Sequence, residues 1–228
     1  MDIGSLINKY NIMDCSGLFS LIDNEAISLT VFDPQYRGIL DKMGYGNEGE
    51  NRGKERVDLK QMSDDTIKSN IKEINRVLKP NGYLFLWVDK FHLVEGVQHW
   101  FEDTHLKTVD LLTWNKEKMG MGYRLRNVAE YCLIVQKTPI KKSLSKANWK
   151  LHNIRNVLSE KITDKIHTHQ KPYNIQKELI QAVTDPDDLV LDPCMGSGVI
   201  LKICQEINRN FIGCDLKYPL ETEGNYDF

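Results

Sequence analysis

Asp188-Leu189-Val190-Leu191-Asp192-Pro193-Cys194-Met195-Gly196-Ser197-Gly198-Val199 decides the fold of this chain. A short apolar run closes on Asp-Pro, passes through a tight Gly-x-Gly turn and opens into a helical segment, Val199 to Asn208. Strand, glycine turn and helix in that order make one unit of a parallel α/β sheet, with the turn at the strand's carboxyl end. Asn210-Phe211-Ile212-Gly213-Cys214 reads as the next strand and ends at Asp215. Gly196 and Gly198 lack Cβ atoms, so a bound molecule can lie close against the main chain. Asp215 is placed to accept a pair of hydroxyls. The third glycine of a G-x-G-x-x-G fingerprint is missing, which argues against a dinucleotide.

Working outward, a second strand end carries chemistry. Ile27-Ser28-Leu29-Thr30-Val31-Phe32 reads as a buried strand and delivers Asp33-Pro34-Gln35-Tyr36. A carboxylate, a stiff turn and an aromatic ring at one strand end suit a planar ring that bears an amino group. Asn11-Ile12-Met13 reads as a short strand ending at Asp14-Cys15, followed by a helix from Ser16 to Asp23. Ser63-Asp64-Asp65 caps a helix running to about Leu78, which Lys79-Pro80-Asn81-Gly82 ends. Tyr83 to Val88 is a buried strand, 91–102 a helix, 107–114 and 129–136 strands, and 173–184 a helix. Residues 37–62 and 115–126 read as loops, and the basic segment 141–166 has no clean period and reads as surface chain. Alternating strands and helices predict one α/β domain over 1–228, with a mostly parallel central sheet and helices on both faces.

Composition sets the class. The 228 residues suffice for one full core, and 41% hydrophobic with 27% charged residues is ordinary for a globular protein. No apolar run approaches the ~20 residues of a membrane span, and no signal sequence opens the chain. Cys15, Cys132, Cys194, Cys204 and Cys214 show no CxxC pair, so neither a structural metal nor a disulfide framework is expected, and a reducing cytoplasm is the natural compartment. The net charge is −2, but it is unevenly spread. Lys141 to Lys165 carries seven Lys/Arg against two acids, an excess of +5, whereas 1–36 carries Lys9 against five acids, a balance of −4. That asymmetry permits a basic face for nucleic acid.

These motifs together resemble the S-adenosylmethionine-dependent amino-methyltransferases of DNA, which act on adenine N6 or cytosine N4. The Asp33-Pro34-Gln35-Tyr36 element precedes the glycine turn, the order of the circularly permuted beta group. The family's cofactor motif, Asp-Pro-Phe-x-Gly-Ser-Gly, is matched at Asp192, Pro193, Gly196, Ser197 and Gly198, with Cys194 for phenylalanine and Met195 at the variable place. His167-Thr168-His169-Gln170-Lys171-Pro172 resembles the segment that closes over the methionine part of the cofactor, matching at His167, Gln170, Lys171 and Pro172. Asp14 and Cys15 fall where the family borders the cofactor's adenine, Asp215 and Leu216 where it holds the ribose, and the resemblance counts Asp33 among the cofactor-binding residues as well as the catalytic ones. The resemblance implies a Rossmann-like methyltransferase fold with an antiparallel edge strand.

The implied chemistry suits the residues. An exocyclic aromatic amine is a poor nucleophile because its lone pair is delocalised into the ring. The Asp33 carboxylate and the Pro34 carbonyl can each accept an amine hydrogen and favour a pyramidal nitrogen. Tyr36 would stack on a base flipped out of the duplex. The family's usual form is Asp-Pro-Pro-Tyr; Gln35 replaces the second proline and leaves both acceptors in place. Asp at the first position leans toward adenine. Arg37, Lys116, Arg124 and Arg126 are the candidate DNA contacts, the last three because Asn115-Lys116 and Tyr123-Arg124-Leu125-Arg126, before Glu130-Tyr131, resemble family segments. DNA is thus the expected partner, with a restriction endonuclease of the same system and a homodimer as further partners by analogy. Cytosine N4, RNA, a protein amide, or a silent DNA-binding subunit are the alternatives.

Overall fold

A computed structural model of the chain describes residues 3–35, 61–120, 124–139, 148–163 and 170–217. The expected loop 37–62 therefore lies outside the described residues except for Gln61 and Met62, and so do Tyr36, Arg37 and His167.

Among the described residues, eight strands form one sheet: β1 (Asn11–Ile12), β2 (Ile27–Phe32), β3 (Leu78–Val88), β4 (Leu106–Gly120), β5 (Asn127–Lys137), β6 (Val157–Ser159), β7 (Leu189–Asp192) and β8 (Asn210–Asp215). Their order across the sheet is β1-β8-β7-β2-β3-β5-β4-β6. Neighbours from β1 to β3 pair in parallel, as do β4 and β6. Of these strands, β5 alone runs against its neighbours, pairing antiparallel with both β3 and β4. The antiparallel strand is therefore inside the sheet, and the edge beyond it is β6.

The described helices are α1 (Cys15–Phe19), α2 (Asp64–Val77), α3 (Lys90–Glu95), α4 (Tyr173–Val183) and α5 (Val199–Glu206). Strand alternation divides the core between two faces. Leu84, Leu86 and Val88 of β3 pack with α1, α2 and the 3-10 turn Gln98–Phe101, whereas Tyr83, Phe85 and Trp87 pack with α4 and α5. Helix α2 forms because Ile67, Ile71 and Ile74 recur on one side and because Ser63 Oγ accepts the Thr66 amide, with Asp64 and Asp65 in the first turn. It passes into β3 without a separate loop. The Lys79-Pro80-Asn81-Gly82 turn survives as a bulge, where the register against β2 jumps from Ile27–Leu78 to Leu29–Tyr83.

Two expected loops are structured. Strand β4 continues past Trp114 to Gly120, so 115–126 is mostly the outer part of a β4–β5 hairpin, with a register shift between Asn115 and Gly120. The basic segment is not only surface chain: β6 pairs with β4 at Thr113, Trp114 and Asn115, and Trp149, Ile154, Leu158 and Ile162 pack against the core. Glu160 joins this segment to α4. Its carboxylate accepts the amides of Asn174 at 3.1 Å and Ile175 at 2.9 Å, a favourable place for an anion at a helix start. Among the described residues, no helix is long and apolar enough to cross a membrane.

Candidate active site

The site lies beyond the carboxyl ends of β7, β2 and β3. Asp192 closes β7, and its Oδ1 accepts the Cys194 amide at 3.1 Å, which starts the turn. Gly196 and Gly198 take positive φ angles of 46° and 71°, a conformation that side chains resist, and Gly198 is the N-cap of α5. The Gly196 amide donates to Asp215 Oδ2 at 2.9 Å, tying the turn to the end of β8. Beneath the turn, the Tyr10 hydroxyl lies 2.8 Å from the Gly196 carbonyl and 3.0 Å from that of Lys217. Asp14 is the exposed N-cap of α1, and the Met13 amide donates to the Asp215 carbonyl at 3.0 Å, so Asp14 and Cys15 border the outer side of β8. Leu216 is exposed and donates its amide to Asp215 Oδ1. Pro193 is buried behind the turn.

A small, partly open cleft lies beside this turn. Its walls include Asp33, Gln35, Trp87, Lys171, Gln176 and Asp192, together with Cys194, Met195, Gly196 and Ser197 of the turn. Pro34 is buried at the end of β2, and the Gln35 carbonyl accepts the Met62 amide at 2.7 Å, which holds the catalytic candidate segment in place.

Four charges alternate through this region. Lys171 Nζ lies 2.8 Å from Asp33 Oδ2 and 3.0 Å from Glu130 Oε2, and Lys116 Nζ lies 3.2 Å from Glu130 Oε1. The Lys171 ammonium also sits 5.2 Å from the centre of the Trp87 ring. Burial opposes charge on Lys171, but Asp33 and Glu130 outweigh it and hold the ammonium above its ordinary range. Burial likewise opposes charge on Glu130, yet Lys171 and Lys116 bring it down to about 2. Asp192 goes the other way. Burial, with the charges of Asp33 and Asp215 against it, pushes its carboxyl up to about 8 despite the Cys194 amide.

Two expected site residues take part in this charge chain. Lys116, expected as a DNA contact, has 19% of its side chain exposed and turns its ammonium to Glu130. Lys171 is directed at the Asp33 and Glu130 carboxylates, while Gln170 is half-buried beside it and Pro172 is the N-cap of α4. Arg124 and Arg126 are exposed at the outer end of the β4–β5 hairpin. Because β5 is antiparallel, its first residues lie at the carboxyl edge of the sheet, so the hairpin projects on the cleft side. Tyr10, Trp87, Glu130 and Gln176 join the site although none of them is a candidate site residue from sequence. Only Glu130 carries a signal, its place in Glu130-Tyr131.

S-adenosylmethionine suits this set of residues. The turn presents Gly196, which has no Cβ, to the cleft, Asp215 offers a carboxylate at the next strand end, and the cleft wall holds buried polar atoms, Trp87 Nε1 and both amide atoms of Gln176, without partners among the described residues. A glycine turn, flanking acids and a mostly parallel sheet with helices on both faces define the class of Rossmann-like folds, with the ligand site beyond the carboxyl ends of the strands.

Comparison with known proteins specifies the class. Residues 27–220 match the family model described as DNA methylase, that of the N6/N4 methyltransferases. The chain is 56% identical over 216 residues to the Type II methyltransferase M.HhaII of Haemophilus parahaemolyticus, covering 94% of this chain and 93% of the relative. Among solved structures it resembles the M1.HpyAVI–SAM complex (TM-score 0.63, 19% identity, 92% of this chain and 93% of that one). It also resembles the cytosine-N4-specific PvuII DNA methyltransferase (TM-score 0.65, 15% identity, 95% and 88%). The chain belongs to the N6/N4 DNA methylase family, whose methyl donor is S-adenosylmethionine.

Proposed function

We propose that this protein methylates the N6 amine of adenine in a specific DNA sequence, as the modification enzyme of a restriction system. The observation that carries the reading is Asp33, a carboxylate at the end of β2 in the cleft, anchored through Oδ2 by Lys171. An aspartate at this position leans toward adenine in the family. The 56% identity to a protein named as a Type II methyltransferase supports the restriction context.

Bound S-adenosylmethionine supplies an electrophilic methyl group on a cationic sulfur. The chain's own residues prepare the amine. A carboxylate offers about four acceptor sites, so Asp33 can take an amine hydrogen while it stays paired with Lys171. The Pro34 carbonyl takes the second hydrogen, and the lone pair is left directed at the donor. Lys171, fixed by Glu130 and the Trp87 ring, sets the orientation of Asp33. Tyr36 provides the stacking surface for the flipped base. Orientation of this kind lowers a barrier by up to ~7–11 kcal/mol. No strong base is required, because the methylated ammonium is acidic once formed. Arg124 and Arg126 reach backbone phosphates from the hairpin.

The test is transfer of labelled methyl groups to unmethylated duplex DNA, followed by nucleoside analysis. N6-methyldeoxyadenosine is the expected product. N4-methyldeoxycytidine would overturn the choice of base, and absence of label in DNA despite cofactor binding would overturn the substrate.

A further inference from the structure

Gln176 is an unusual residue for its place. Helix α4 otherwise buries Ile175, Leu179, Ile180, Ala182 and Val183. The Gln176 side chain is 0% exposed, yet neither Nε2 nor Oε1 has a hydrogen-bond partner among the described residues. Buried amides in proteins are almost always satisfied, so one that lines a cleft with both ends unpaired calls for a ligand that supplies an acceptor and a donor. Gln176 does line the cleft, next to Val31, Trp87, Val199 and Ile200.

The chemistry of the donor indicates which part of it meets this amide. Its sulfonium carries three arms. The adenosyl arm is drawn toward Asp215, whose carboxylate lies at the end of β8 on the far side of the glycine turn. The methyl must face Asp33 and Pro34 at the end of β2. The remaining arm is a short aliphatic chain ending in an α-carboxylate and an α-ammonium. The unclaimed wall offers an apolar lining in Val31, Val199 and Ile200, and a carboxamide with one donor group and one acceptor. Trp87 Nε1, a second unpaired donor on the same wall, adds another position for an anionic oxygen.

We propose that Gln176 recognises the amino-acid arm of the cofactor, with Nε2 donating to the α-carboxylate and Oε1 accepting from the α-ammonium. The proposal rests on the reading of the cleft as the S-adenosylmethionine site. It makes Gln176 a binding residue that separates the cofactor and its product from nucleosides lacking the charged arm.

The experiment compares two ligands by calorimetry. S-adenosylhomocysteine carries the arm, whereas 5′-methylthioadenosine retains the thioether nucleoside without it. Gln176→Leu should weaken S-adenosylhomocysteine by about tenfold or more and leave 5′-methylthioadenosine within about twofold. Gln176→Met, which keeps the length but removes both the amide donor and the amide acceptor, should show the same selective loss. Unchanged S-adenosylhomocysteine affinity in both variants, or equal loss of both ligands, overturns the proposal. Failure of the unmutated protein to bind either ligand would instead sink the cofactor reading on which it stands.

Discussion

Replacing Glu130 with glutamine probes the charge chain with little change of shape. The carboxylate sits between two ammonium groups at 3.0 and 3.2 Å, and the neutral amide would remove the anion that Lys116 faces and leave Lys171 paired with Asp33. The lysines hold Glu130 at about 2 in the folded protein against an ordinary 4.5, a preference of about 3 kcal/mol for the folded carboxylate. Because 29% of the side chain reaches solvent, screening reduces this to about 2 kcal/mol. The sign follows from the lowered value. The stabilisation is complete above about 4.5 and is lost as pH falls toward about 2, where the folded carboxylate also protonates. Urea unfolding followed by tryptophan fluorescence should show Glu130→Gln less stable by about 2 kcal/mol at pH ~7.5, with the difference shrinking steadily below pH ~4.5. Transfer should slow at the same time, since Lys171 loses one of its two anchors, while S-adenosylhomocysteine affinity should hold. A difference under about 0.5 kcal/mol at pH ~7.5, or one that grows on acidification, would refute the account.

The other predictions are simpler. Asp33→Ala should abolish methyl transfer yet leave S-adenosylhomocysteine binding largely intact in calorimetry, because the lost acceptor faces the amine rather than the nucleoside. Gly198→Val forces a branched side chain into φ 71° at the start of α5, and it should weaken cofactor binding measurably while costing about 1–2 kcal/mol in unfolding. Arg124→Ala combined with Arg126→Ala should lower DNA affinity and flatten its logarithmic salt dependence by about 2, with no effect on cofactor binding. Asp192→Asn should stabilise the cofactor-free protein, by at least about 1 kcal/mol at pH ~7.5 in the same urea titration. Between the ordinary 3.8 and about 8 the unfolded aspartate ionises while the folded one stays protonated, so the gain should increase with pH through that window.

What could be read from sequence, and what could not, divides along a physical line. The β2 strand, the glycine turn, α5 and β8 were legible because each is specified locally: apolar runs end on Asp33 and Asp192, and Gly196 and Gly198 mark the positions where the chain needs positive φ. Strand β6 was not, because its pattern is short and mostly exposed, and its support is pairing with β4. The outer half of β4 was hidden for a related reason, since Asn115-Lys116-Glu117-Lys118 has no alternation and becomes a strand through β5. Lysine roles were the hardest to read. A lysine head group is placed by four rotatable bonds, so its motif says which strand or loop it leaves and not which carboxylate it reaches. Lys116 and Lys171 come from segments that resemble a DNA-contacting loop and a cofactor-closing loop, yet both converge on Glu130 because antiparallel β5 carries that residue back to the cleft edge. Gln176 was hidden differently: it occupies a core position of α4, where periodicity expects an apolar residue. A polar residue at a core position is a local inconsistency in the pattern, and such inconsistencies concentrate where a protein meets its ligand.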